Sequence, residues 1–541
     1  MISCPNCGGN VLFDIPSQKL KCDHCHELFE PTAFEDKTSD AEEEKAFDGD
    51  YEVTVFTCPQ CGGEILSTDN AAAGFCSFCG ASTILYSRIS HEHRPGYIIP
   101  FQKTKEDCKQ AYASMMKRAI FAPKELKDPK NIDSFRGIYM PYWAYYLTQQ
   151  GPLAIPAQKV YRSGNYMITD HYNLTGELDA YYKGLSYDAS SSFADSISEA
   201  LAPYDVKNMK AFTPAYLSGF YADTSDVPSS VYEYDAHNTA FENTFKQVSA
   251  IPAYASYSIE LKKDSASLSK VFNTQTEAVD SALFPVWFMS YRHKDRVAYA
   301  TVNGQTGKVV ADLPVDPGKF AAGSLLLAIP IFLLLACFVT FMPSSLLILS
   351  CILAVITSII YTTELSAINK RDSFADDRGK NYKLNPNITP ESQIPKQVAK
   401  PKKKKCSIFS KFMLGYYIVM LLVQLCSLIG IFSDSGVQNA TFILWILMLI
   451  TMIITIAIGS RKIQQLPAKQ SVLGYVLCTI AICIGFAIST LRPIYDLYYY
   501  IGAIVCLLSV IISLADIIRY YNVLSTRRLP QFDKQGGDNR A

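Results

Sequence analysis

The chain has no charge of either sign to spare. Its 541 residues carry 50 Lys and Arg against 50 Asp and Glu, a formal net charge of zero. That balance argues against nucleic acid as a partner of the whole protein, because polyanion binding rests on a basic excess. Enzyme signatures are also missing. There is no G-x-S-x-G elbow, no H-E-x-x-H pair, no G-x-G-x-x-G fingerprint and no evident carboxylate pair. Nothing in the sequence names a reaction, and the expectation is a non-enzyme. No charged segment followed by an apolar stretch precedes the first cysteines, so no secretory leader is expected. The long apolar runs downstream are nearly free of ionisable groups. Asp516 alone falls inside one, near its end, and a transporter would place such groups near the bilayer midplane. A transporter or channel with a regulatory head is therefore the second reading, and a membrane-tethered nucleic-acid binder the third.

What is present is unevenly placed. Of 16 cysteines, eight fall before residue 80. Cys4, Cys7, Cys22 and Cys25 have the spacing C-x2-C-x14-C-x2-C. Cys58, Cys61, Cys76 and Cys79 repeat it 54 residues later. In a reducing compartment paired C-x-x-C motifs point to metal rather than disulfide. Each knuckle sets two thiolates on one side of an ion, and two knuckles close a tetrahedron. The expectation is two structural Zn²⁺ ions, one per four-cysteine ribbon, which carry most of the folding energy of such small units. Gly8 and Gly62 supply the backbone turn after the first knuckles, and "VLFDIP" and "KLKC" form a hairpin between knuckles in the first unit. His24 and His26 are read as surface residues, and His91 and His93 as part of a linker.

Charge within the ribbons favours protein partners over nucleic acid. Lys19 and Lys21 are offset by Asp14, Asp23 and Glu27, and no Lys or Arg stands between Cys58 and Cys79. The stretch between the ribbons, "EDKTSDAEEEKAFDGDYE", is acidic and repels phosphate.

Residues 97–318 read as α+β. "GYIIPF" and "FRGIYMPYWAYYL" are strand-like, "KEDCKQAYASMMKRAIF" has helical spacing, and "SFADSISEAL" is a short helix. "FPVWFMSYRHKDRVAYATVNGQTGKVVADLPV" reads as strand, turn, strand, turn, strand. Its "NGQTGK" is a hairpin turn, with Asn303-Gly304 and Gly307 supplying positive φ. It is not a phosphate loop, which needs four residues between its glycines. "MPYW" and "FPVW" share Pro-x-Trp and hint at a second duplication.

Six apolar runs are long enough to cross a bilayer: 320–341, 343–363, 411–432, 440–459, 471–490 and 497–518. The 364–410 loop holds 11 Lys and Arg, "KPKKKK" among them, while the opposite loops offer Arg492 alone. The positive-inside rule then places both termini in the cytoplasm of a multi-pass protein of the cell membrane.

The run from "CPNCGG" through "CSFCG", then "GYIIPF", "IYMPYW", "PAYLSGFYAD" and "NGQTGKVVADLP", resembles a family of membrane proteins from Gram-positive bacteria. These have tandem TFIIB-type zinc ribbons ahead of a cytoplasmic region and C-terminal membrane helices. The resemblance spans residues 1–318 in order. It implies that the eight ribbon cysteines are metal ligands. Some relatives belong to the phage-shock, or ESCRT-III-like, envelope-stress system, which implies a cytoplasmic partner similar to the phage-shock-protein-A coat.

The combined expectation is a multidomain chain with two small β zinc ribbons, an α+β cytoplasmic domain with antiparallel sheet, and an all-α six-helix transmembrane bundle. The segments are ribbon one at 1–34, acidic linker at 35–54, ribbon two at 55–88 and the α+β domain at 97–318. Membrane hairpins follow at 319–363, 411–459 and 471–518, with a basic loop at 364–410 and a tail at 519–541. The expected function is a bilayer-anchored adaptor whose ribbons dock protein partners.

Overall fold

The structure, a computed structural model, describes residues 2–34, 50–67, 76, 78–80, 86–254, 256–259, 272–293, 296–338, 342–372, 377–384, 446–447, 450–451, 453–454 and 473–528. The first ribbon is a three-stranded antiparallel sheet of β1 (Val11–Asp14), β2 (Lys19–Cys22) and β3 (Leu28–Phe29). Alternation along β1 and β2 turns Val11, Phe13, Leu20 and Cys22 inward. The expected hairpin is present, with Val11 opposite Cys22 and Asp14 opposite Lys19.

The second ribbon contributes β4 (Asp50–Thr57), β5 (Glu64–Ser67) and β6 (Tyr86–His93). β4 begins inside the stretch read as acidic linker, and β6 takes His91 and His93 out of the linker between ribbon and domain. These strands are not a separate sheet. They form one end of a 13-stranded sheet that continues through the α+β domain, or head.

The head adds β7 (Tyr97–Ile98), α1 (Lys105–Arg118), β8 (Arg136–Ser163), β9 (Tyr166–Asp188), α2 (Asp195–Leu201), β10 (Lys210–Ala211), β11 (Tyr221–Ala222), α3 (Glu233–Ser249), β12 (Ser258–Ile259), β13 (Thr274–His293), β14 (Arg296–Asn303) and β15 (Val309–Ala311). Thr104 starts α1 with a capping box to Asp107. The main path through the sheet runs β10-β7-β13-β8-β11-β5-β4-β6.

The centre of this sheet is internally two-fold. β8 and β13 are antiparallel with Met140 opposite Phe284, so the two Pro-x-Trp motifs run past each other. β7 lies parallel to β13, and β11 parallel to β8. Bonds recur in pairs. Ile99 N–H donates to Leu283 O and Asp223 N–H to Tyr139 O, both at 2.9 Å; Gly304 N–H donates to Pro285 O and Ala189 N–H to Pro141 O, both at 2.8 Å. The Trp287 indole donates to Lys103 O at 2.9 Å and the Trp143 indole to Val227 O at 2.8 Å. The unit of short strand, helix and long hairpin therefore occurs twice, and each copy lends its short strand to the other. The hairpins differ in length. β8–β9 continues past the last β13 pair, Gln149 with Thr274, to a tip where Tyr161, Tyr166 and Met167 are exposed.

The turn at "NGQTGK" corrects one expectation. Gly307 has φ +80°, but neither Asn303 nor Gly304 uses positive φ. Gly304 is required by closeness instead: a Cβ there would lie 2.6 Å from the Phe101 ring, which is fully buried and stacked on Phe220 at 4.5 Å. Gly304→Ala is expected to destabilise the head by about 1–3 kcal/mol, read as a lower denaturant midpoint for the full chain in detergent.

Beyond the head lie α4 (Pro317–Phe338), α5 (Pro343–Asp372), α6 (Arg378–Leu384), α7 (Leu473–Leu491), α8 (Leu497–Leu524) and β16 (Arg527–Arg528). Among the described residues four helices are long and apolar enough to cross a membrane: Pro317–Leu334, Pro343–Ile368, Leu473–Leu491 and Leu497–Leu524. The expected six-helix bundle is thus not supported. The run at 411–432 lies outside the described residues, as does 440–459 except for six positions. α5, α7 and α8 pack through small residues such as Ala354, Cys478, Ala481 and Cys506. Gly474 is in tight contact with α8, its would-be Cβ 2.6 Å from Ser513 Cα. Asp516, the ionisable group near the end of the last apolar run, is turned inward. It is 6% exposed and accepts from the Gly474 N–H at 3.1 Å, at the start of α7.

Candidate metal centres

Both cysteine sets close into compact four-sulfur groups, and the structure brings together all eight residues the sequence singled out. In the first, Cys4 and Cys25 sulfurs are 3.6 Å apart and Cys7 and Cys22 sulfurs 3.4 Å. In the second, Cys58 to Cys79 is 3.8 Å and Cys61 to Cys76 is 3.7 Å. A tetrahedral ion with metal–sulfur bonds near ~2.3 Å needs sulfur–sulfur edges of about 3.75 Å. The separations fit such an ion and are far too long for disulfides, whose sulfurs sit about 2.05 Å apart.

The repeat extends to the backbone that aims the sulfurs. Cys4 N–H donates to Gly9 O and Gly8 N–H to Cys4 O; Cys58 N–H donates to Gly63 O and Gly62 N–H to Cys58 O. Gly8 and Gly62 have φ of 70° and 73°, so the turn expected at both glycines is present. The second knuckles close alike, His26 N–H to Cys22 O at 3.0 Å and Gly80 N–H to Cys76 O at 2.9 Å. The position after this knuckle is left-handed in both, with φ of 60° at His26 and 70° at Gly80. His26 thus strains a position that glycine fills without cost. It is exposed, as is His24, and neither belongs to the four-ligand group. His26→Gly is expected to strengthen metal retention by the first ribbon by about 1 kcal/mol, measurable by chelator competition.

The two centres differ in setting. In the first, Cys7 and Cys25 are exposed while Cys4 and Cys22 are buried; in the second, all four cysteines are buried. The first ribbon leans on the head by one face. Phe13 meets Tyr216 with ring centroids 5.4 Å apart, and Phe13 N–H donates to Ser218 O at 3.1 Å. Its knuckles point away, with Pro5, Asn6, Gly8, Asp23, His24, Glu27 and Leu28 exposed. The second ribbon is enclosed. β5 pairs with β11, the Tyr299 hydroxyl donates to Phe78 O at 2.8 Å, and Arg292 Nη1 donates to Gln60 Oε1 at 2.7 Å. Burial pushes the Tyr299 phenol above its ordinary range. No sequence pattern announced this enclosure, because the strand that receives the ribbon, β11, is two residues long.

The chain is similar to the uncharacterized protein YdjG of Bacillus subtilis (strain 168). The two are 28% identical over 325 residues, 59% of this chain and 91% of YdjG. No family model matches the chain, and no solved structure matches it.

Proposed function

We propose that the protein is a bilayer-anchored adaptor that presents the exposed knuckles of its first ribbon to protein partners in the cytoplasm. The observation that carries this reading is the asymmetry between the centres. One is built into the head, while the other displays two ligand cysteines and the loops around them. A ribbon that served the fold alone would have no need of an outward metal edge. The enclosure of the second ribbon removes it as an independent docking knob, so the reading rests on the first.

Closed four-thiolate sites leave no position for a reacting water, which favours Zn²⁺ in a structural role at both centres. The basic 364–410 loop supports a cytoplasmic head and tail through the positive-inside rule. The partner class favoured by the sequence resemblance is a membrane-remodelling coat protein of the phage-shock type. The test compares proteins co-purified from crosslinked membranes with the native chain and with Cys7→Ser. Loss of specific partners with insertion unchanged supports the adaptor; identical partner sets overturn it. Metal analysis of the purified chain tests the ions, with two zinc per chain expected.

A further inference from the structure

The head holds a second cluster of chemistry that the metal centres do not use. Asp188, at the end of β9, is 2% exposed, and its Oδ2 meets no donor. Asp195, at the start of α2, is 6% exposed and accepts from the Tyr232 hydroxyl and from Arg378 N–H, both at 2.8 Å. Arg378 opens α6, and Asp377 just before it is 7% exposed and caps that helix by accepting from Lys380 N–H at 2.8 Å. Carboxylates from three elements thus meet beside Tyr232. Burial, reinforced by Asp195, holds Asp188 well above the usual carboxylate range and raises Asp377 to about 7.

α6 is seated along its whole length. Arg378 pairs with Asp235 and lies over the Tyr234 ring at 5.8 Å. Lys383 pairs with Asp226, which also accepts from Ser191 N–H and Oγ at 2.7 Å. Gly379 is fitted tightly: a Cβ there would be 3.0 Å from the Tyr232 hydroxyl and 3.2 Å from Val227. Tyr382 packs against the apolar cluster that holds Val227, Val231 and Tyr232. The loop under this seat, Ser190–Ser192, has a counterpart in the other repeat at Gln305–Gly307. There the cover is the head's own Asp205, whose N–H and O both bond the Gln305 amide. Here the cover arrives from the segment that follows α5.

We propose that this acidic cleft is a binding site for a short basic segment, filled in this structure by the chain's own Asp377–Leu384 as a releasable latch between α5 and the head. Release follows loss of protons. A free Asp377 titrates near about 4, and the docked one near 7. A group whose pKa is raised by docking stabilises the docked state fully below its free value. That contribution is lost as pH rises through the docked value. The groups facing Asp377 are Asp195 of α2, Asp188 of β9, Tyr232 at the start of α3, Arg527 of β16 and Lys380 of α6 itself. Above that window two buried like charges oppose docking, and the Arg378 and Lys383 pairs are left to hold it.

The test places a benzoylphenylalanine at Tyr382 in the full chain. Photocrosslinking to the 227–231 peptide is then quantified by mass spectrometry. Yield is expected to fall about tenfold between about pH 5.5 and about pH 8.5. Asp377→Asn, which still caps the helix, should hold yield at both. Arg378→Ala/Lys383→Ala should lose crosslinking and bind a labelled DRGKNYKL peptide more tightly than the native chain at about pH 5.5. Each variant must keep its two metal ions per chain; if the double variant does not, Lys383→Gln replaces it. Equal yield across pH in the native chain, or a metal-replete variant that neither releases α6 nor takes the peptide, overturns the latch and makes α6 a fixed part of the head.

Discussion

A Cys76→Ser chain is expected to lose one of two metal ions and, with it, the ordered edge of the head sheet. Structural zinc sites in small fingers are worth about 10–16 kcal/mol of apparent binding energy. Whole domains are stable by about 5–15 kcal/mol. Cys76 is fully buried, and its ribbon is continuous with β11 and β8 through β5. Loss of that ion therefore opens the second ribbon and exposes Phe78, Phe288 and Tyr299, which pack together there. The result is read as metal per chain and as new protease cuts between residues 50 and 93. Cys7→Ser is the contrasting variant. It also lowers metal to one ion, but the first ribbon touches the head by one face, so the sheet should stay resistant. If both variants are equally cut, the two ribbons are equivalent in the fold and the asymmetry drawn between them fails.

The ribbons were legible because metal chemistry fixes spacing. Four sulfurs must meet at one ion, and the only freedom left to the sequence is the length of the hairpin between knuckles. The strands of the head were legible where apolar runs are bounded by turn residues, as in β14 and the second half of β13, which are buried on both faces. Their partners were not. β7 and β11, which stitch the two repeats together, are two residues each, too short for any period to show. "MPYW" and "FPVW" hinted at the duplication, but only the paired bonds to Leu283, Tyr139, Pro285 and Pro141 reveal that each copy completes the other.

The acidic cleft left no trace in the sequence at all. Asp188, Asp195 and Asp377 are drawn from a strand end, a helix start and a loop beyond a candidate membrane helix. No local pattern joins residues so far apart. The apolar runs were legible as candidate spans, yet their joining to the head was not, since it is made by single polar side chains at helix ends and by β16, a two-residue strand paired with β14.

That joining gives the second large expectation. Asp312, just after β15, lies 3.9 Å from Arg371 at the end of α5 and 3.9 Å from Arg527 beyond α8. Arg371 also donates to Leu524 O, Arg296 of β14 donates to Thr526 O at 2.8 Å, and Asn522 exchanges bonds with the Val315 backbone at 2.7 and 2.8 Å. Burial raises the Asp312 carboxyl above its ordinary pKa, and the two arginines oppose that rise. Asp312→Ala leaves both guanidinium groups facing each other with no anion between them. Removing one partner of a buried pair costs about 3–5 kcal/mol. The expected value is near the lower end, because both pairs are long and both arginines keep other partners. The cost falls at the junction and not in either core, so its signature is uncoupling. The native chain in detergent should melt in one calorimetric transition, and Asp312→Ala in two, with the bundle helices unfolding separately from the head. A single transition that merely shifts would mean that β16 and Asn522 carry the connection without Asp312.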